Sequence, residues 1–148
     1  MEARIKDGGC DADVVGLAET HTEDGENIVS FLDTWGWKGS VAPARPGKRA
    51  QAAGGAAICA RRHLACHTYR HLCAAADQQA GLGRVDGTLC RGGGAIDFFD
   101  FAPMGIQLRG GKELILVALY LTDGDGVGGN NAVKLVHLAA FLSLTRAP

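Results

Sequence analysis

Asp13-Val14-Val15-Gly16-Leu17-Ala18-Glu19-Thr20-His21 decides how the rest of this chain is read. Val14 to Ala18 is an uninterrupted apolar run of strand length, short and β-branched, as expected of a central strand covered on both faces. It delivers a carboxylate, Glu19, and a histidine, His21, at its carboxyl end. A carboxylate just past a buried strand offers hard oxygen ligands to Mg²⁺, which prefers oxygen donors and keeps several waters of its own. The plain alternative is a solvated glutamate that ends the strand, because charged side chains usually sit in water.

Working outward, strand and helix signals alternate. Thr22 to Thr34 reads as a helix, with Thr22 or Asp24 as cap and Ile28, Val29, Phe31 and Leu32 at near-helical spacing. Trp35-Gly36-Trp37 to Val41 reads as a second strand, and Pro43 to Ala53, carrying Arg45, Lys48 and Arg49, as a basic loop rich in breakers. Gly55 to Arg61 is a third strand, introduced by a Gly54-Gly55 pair that permits a tight, positive-φ approach. These three strands are expected to share one sheet.

From His63 to Gly94 the pattern weakens: Leu72 to Ala80 favours helix, while repeated glycines interrupt it. Ala95 to Leu108 reads as one broken strand or two, and Gly110-Gly111 turns the chain into its strongest strand, Glu113 to Leu121. After a glycine- and aspartate-rich loop, Ala132, Val133, Leu135, Val136, Leu138, Ala139 and Leu142 form the apolar face of a closing helix. Asn130 or Asn131 is its expected cap. Strands alternating with helices predict an α/β layered domain, and no linker or repeat divides it.

Composition sets the outer bounds. A chain of 148 residues is one domain's worth, and its formal charge of -1 supplies no global field to draw it onto nucleic acid, so any phosphate contact is local. Five cysteines, an odd number, and a polar start without a signal-peptide core predict reduced thiols in an intracellular protein, cytoplasmic or nuclear. No apolar stretch approaches the roughly 20 residues of a membrane helix, so the expectation is a soluble protein without a membrane partner.

Three short motifs, in order, carry a resemblance. Ala18-Glu19-Thr20-His21 is similar to the Gln-Glu-Thr-His that ends the metal-bearing strand of the endonuclease/exonuclease/phosphatase family, with alanine in place of glutamine. Gly54-Gly55-Ala56-Ala57-Ile58 resembles that family's Gly-Gly-x-Ala-Ile strand, and Leu114 to Tyr120 resembles its apolar strand ending in tyrosine. The resemblance covers about residues 12 to 143, within one partial domain spanning 1 to 148. It implies the amino-terminal half of a four-layer α/β sandwich, two packed β-sheets flanked by helices, in a truncated form. It also implies a Mg²⁺- or Mn²⁺-dependent phosphodiester hydrolase, endonuclease-like, with Glu19 as metal ligand, Tyr120 near the scissile phosphate and nucleic acid as a partner.

The chain departs from the family after the tyrosine, where Leu121-Thr122-Asp123 stands in place of the usual proline and asparagine. The family's first-strand asparagine, its Gly-Asp-x-Asn segment and its late Asp-His pair have no counterpart here. Hydrolysis needs a base that prepares water, and losing one removes about 10²- to 10⁴-fold of rate. The chain alone is therefore expected to have little or no nuclease activity. A half-domain is also expected to expose an apolar sheet face and to associate through it, with itself or with a missing carboxyl-terminal half.

Two other readings stay open. One is a non-catalytic binding or structural remnant of such a domain, with Arg45 to Arg49 and Arg61-Arg62 contacting phosphate or a partner; charge clusters are more often solvated faces. The other is a zinc protein built on Cys59, His63, Cys66, His67, His71 and Cys73. That set lacks the paired Cys-x-x-Cys spacing of structural zinc sites. His21 reads as a solvated or capping residue, and Tyr120 without the resemblance reads as an amphipathic residue at the edge of the core.

Overall fold

Ala56-Ala57-Ile58-Cys59-Ala60 is five consecutive buried residues, and small side chains on both of its faces let other layers approach from either side. In the computed structural model this run forms strand β5 (Ala56–Arg61), flanked by β1 (Val14–Ala18) and β2 (Trp37–Ala42), both antiparallel to it. Residues 11–22, 25–46, 52–69, 72–73, 75–76, 83–85, 88–91, 94–96, 101–124 and 126–146 are described. The three strands share one sheet, as the sequence suggested. Its centre is β5, not β1, which among the described residues pairs along one edge and is only half-buried. Gly16 and Ala18 carry too little apolar surface to bury the second face of β1.

A second antiparallel sheet has the order β11 (Glu113–Leu119), β10 (Phe101–Gln107), β6 (Cys66–Thr68). Pro103 lies inside its central strand, yet the ladder to β6 covers only Met104 to Ile106, so the missing N–H falls beyond the end of that pairing. The Ala95–Leu108 stretch thus resolves into two strands, β9 (Gly94–Ile96) and β10. Two small ladders complete the set: β3 (Arg45–Pro46) with β4 (Ala52–Ala53), and β7 (Gly83–Val85), β8 (Thr88–Arg91) and β9. Leu72-Cys73 and Ala75-Ala76 are helical, in keeping with the pattern there, whereas β7 and β8 occupy a stretch whose glycines concealed any strand signal.

The two main sheets face each other across Ala42, Ala56, Ile58, Ala60, Ala102, Met104 and Ala118. The opposite face of the first sheet, with Trp37 and Cys59, is packed by Ile28, Phe31 and Leu32 of helix α1 (Gly25–Thr34). The opposite face of the second, with Phe101, Ile115, Val117 and Leu119, is packed by Leu138 and Phe141 of helix α2 (Gly129–Thr145). The alternation along β11 sends Leu116 and Ala118 to one cluster and Ile115, Val117 and Leu119 to the other. The described chain is thus a mixed α/β fold of antiparallel sheets and two helices. Both faces of each main sheet have an apolar cluster against them. Among the described residues, the exposed large apolar side chains include Leu108, Leu114, Leu121 and Val127. No described helix is long and apolar enough to cross a membrane.

Candidate functional site

Just past β1 the backbone leaves the ladder by an unusual route. Glu19 and His21 both take positive φ, 54° and 51°, a left-handed conformation that an L-residue with a Cβ adopts at a cost of about 1–2 kcal/mol. The turn is pinned by Thr20 N donating to Gly55 O at 3.4 Å, His21 N to Gly54 O at 3.1 Å and Ala44 N to Thr22 O at 2.8 Å. Thr22 Oγ1 adds a bond to Thr20 O at 3.0 Å. Gly54 and Gly55 meet it with φ of 74° and 86°, and a Cβ on Gly55 would strike Thr20 Oγ1 and come within 3.0 Å of Ala44 N. The Gly-Gly pair therefore performs the close approach that its sequence implied. Between the two left-handed residues, Thr20 Oγ1 is buried with no hydrogen-bond partner among the described residues, a further cost at the same point. The outcome is that the Glu19 carboxylate is exposed at the end of the strand.

Tyr120 follows β11 and is half-buried. Its carbonyl accepts from Lys134 Nζ at 3.4 Å, and the same ammonium lies 5.0 Å from the centre of its ring. Thr122, two residues on, is bound from both sides of its peptide: its N–H donates to Asn131 Oδ1 at 2.7 Å, and its carbonyl accepts from Asn131 Nδ2 at 2.9 Å. Asn131 Nδ2 also donates to Gly126 O at 2.8 Å, and Lys134 Nζ to Thr122 Oγ1 at 3.0 Å.

The sequence placed Asn131 as a helix cap. The cap position is Gly128, and Asn131 lies in the first turn of α2, buried, serving the loop before the helix instead of the helix itself. Lys134 and His137 carry no sequence motif that singles them out. Together with Asn131 they form a stripe at spacing three on the buried face of α2, each no more than 1% exposed. His137 Nε2 lies 3.2 Å from Cys73 O, and its ring meets Phe101 edge-on at 4.9 Å. Polar residues repeating at helical spacing among apolar ones were the available signal. The apolar face read from sequence is rotated accordingly, and Val136 and Ala139 face solvent.

Glu19 and Tyr120 are carried by neighbouring strands of the two sheets. A Cβ on Gly16 would stand 3.9 Å from the Ala118 methyl, three residues before Glu19 and two before Tyr120. His21 is exposed beside Glu19. Mg²⁺ is often held by one or two carboxylates and several waters, so an exposed carboxylate on a rigid turn suits it as a partial ligand set. Among the described residues, no three His, Cys, Asp or Glu side chains gather closely enough to form a full set.

The described cysteines and histidines between 59 and 73 are dispersed. Cys59 is buried beneath α1, where burial pushes its thiol up to about 11; Cys73 is buried beneath α2; Cys66 lies in β6, and none of the three is in a disulfide. His63 pairs with Asp13 at 3.4 Å and His67 with Glu113 at 3.0 Å. His71 lies outside the described residues. Arg61 stacks over Trp37 at 4.3 Å and Arg62 pairs with Asp33, so each has a partner within the fold; the side chains of Arg45 to Arg49 lie outside the described set.

One more polar cluster stands apart. Gly105 of β10 faces the Glu113 carboxylate, the Tyr69 hydroxyl and the His67 ring, and a Cβ there would strike Glu113 and come within 2.7 Å of Tyr69 Oη and 2.8 Å of His67 Cε1. Burial, and then the Glu113 carboxylate, push the Tyr69 phenol well above its ordinary value. Gln107 donates to the same carboxylate at 3.1 Å.

No protein-family model, curated protein or solved structure matches the chain.

Proposed function

We propose that this chain carries the metal- and phosphate-facing strand ends of a Mg²⁺- or Mn²⁺-dependent phosphodiesterase of the endonuclease/exonuclease/phosphatase kind. In this reading the two main sheets with α1 and α2 correspond to the family's four-layer sandwich, in a truncated form. Glu19 is the metal ligand, Tyr120 stands near the phosphoryl group and nucleic acid is the substrate class.

The observation that carries the reading is the turn after β1. Two left-handed L-residues and a buried hydroxyl unpaired among the described residues are tolerated there, and the product is an outward-facing carboxylate. Backbone strain of this sort concentrates at ligand clamps and active sites. A solvated glutamate that merely ended a strand would not require it.

A bound divalent cation would neutralise charge on the phosphoryl oxygens as a Lewis acid. Glu19 would hold it by a carboxylate oxygen, and the Tyr120 hydroxyl would donate to a phosphoryl oxygen and orient it. The described residues assign no base to deprotonate water. The chain alone is expected to bind metal without appreciable cleavage.

Mn²⁺ is the probe of choice, because its binding is read from water-proton relaxation. The chain is expected to bind one Mn²⁺, displaced by Mg²⁺, with affinity falling at least tenfold in Glu19→Gln and unchanged in Tyr120→Phe. Equal binding by wild type and Glu19→Gln would remove the reading. A folded chain that binds no Mn²⁺ would favour the non-catalytic remnant of the same domain.

A further inference from the structure

The loop leaving β11 is gripped by α2, and the grip extends to Tyr120 itself. Asn131 is 1% exposed and commits its amide to main chain: one bond accepted from Thr122 N, and two donated to the carbonyls of Thr122 and Gly126. Lys134, on the next turn of the helix, is equally buried. Its ammonium donates to Thr122 Oγ1 and Tyr120 O and lies over the face of the Tyr120 ring.

An ammonium above an aromatic ring is attracted by the ring's quadrupole, more strongly where water is excluded. Lysine is also among the residues least often fully buried, since its charge must be desolvated. Leucine or methionine would cover the second sheet at lower cost. A lysine here is explained by what its head group does to the Tyr120–Thr122 segment, not by the apolar contact of its stem.

The geometry points to Lys134, supported by Asn131, as a positioning residue that orients the Tyr120 ring. The role rests on the reading of Tyr120 as the neighbour of the phosphoryl group. Asn131 fixes the main chain past the strand end, so the ring starts from one place. Lys134 then selects the face that the ring turns inward. Neither residue contacts substrate.

The chain has two tyrosines, Tyr69 and Tyr120, so uniform 3-fluorotyrosine labelling yields two ¹⁹F resonances, assigned with Tyr69→Phe. The Tyr120 resonance is expected to stand clear of the free amino acid in the wild type. Lys134→Met is expected to move it to that position while the Tyr69 resonance and far-ultraviolet circular dichroism are unchanged, and Lys134→Arg to restore it. Thr122→Val removes a partner of the ammonium without altering the helix, and is expected to move the Tyr120 resonance in the same direction.

A Tyr120 resonance that stays in place in folded Lys134→Met overturns the proposal. So does collapse of both resonances in Lys134→Met with no movement in folded Thr122→Val, because the lysine would then act only in packing. The spectra need neither metal nor substrate. Failure of Mn²⁺ to bind removes the metal reading alone, and the ¹⁹F result still decides the role of Lys134.

Discussion

At Glu19 a single backbone angle separates a plain strand terminus from an outward-turned carboxylate. With φ at 54°, its Cβ crowds the following carbonyl, whereas glycine adopts the same conformation freely. Glu19→Gly is therefore expected to stabilise the fold by about 1 kcal/mol in urea denaturation, while Glu19→Ala, which keeps the Cβ, brings no such gain. If Glu19→Gly destabilises the chain instead, the turn is not strained and the principal support for a metal role falls away. The sequence made Glu19 visible through its position after an apolar run. It did not reveal the left-handed turn, because that turn is imposed by Gly54-Gly55 and Ala44, residues remote in sequence that bond to it across the sheet.

At the scale of elements, β6 shows how a short edge strand is secured. Three residues pair with β10, and His67 in the middle of them binds Glu113 of β11 across Gly105. A glycine is required at 105 because three polar groups converge on the space its side chain would occupy. Gly105→Ala is expected to separate His67 from Glu113 and to cost about 1–3 kcal/mol, with faster amide exchange in β6 than in β5. Uniform exchange across both strands would show that the cluster does not secure β6 in particular. Helix α2 teaches a related lesson. Its existence was legible from hydrophobic spacing, but its buried face was not, since Asn131, Lys134 and His137 look like solvent-facing residues until the Thr122, Gly126 and Cys73 groups that satisfy them are in place.

For the whole molecule, the contact between the sheets is the dominant feature. It is built mainly from alanine, with Ile58 and Met104 as the larger side chains among its fully buried members. Alanine allows close approach, yet leaves few side chains to lock the sheets in register, so Met104 carries a disproportionate share. Met104→Ala is expected to lower stability by about 2–5 kcal/mol in denaturant, with an unchanged dependence on denaturant concentration. A loss below about 1 kcal/mol would mean that the sheets settle onto each other readily and that their packing is loose. Each main sheet is also packed on its opposite face by a helix.

The sequence by itself indicated where the chief strands and both helices lie, that Val14 to Ala18, Trp35-Gly36-Trp37 to Val41 and Gly55 to Arg61 share one sheet, and that a carboxylate ends the first of them. Those features follow from local periodicity and glycine placement, which act over a few residues. Tertiary structure alone decided that β5 and not β1 is central, that α2 buries a polar stripe, and that Glu19 is turned outward by a left-handed backbone. Each of these depends on which distant groups come within hydrogen-bonding range, such as the Cys73 carbonyl that meets His137 from 64 residues away. A buried polar group has no stable place until its partner has arrived, so no local pattern could announce it.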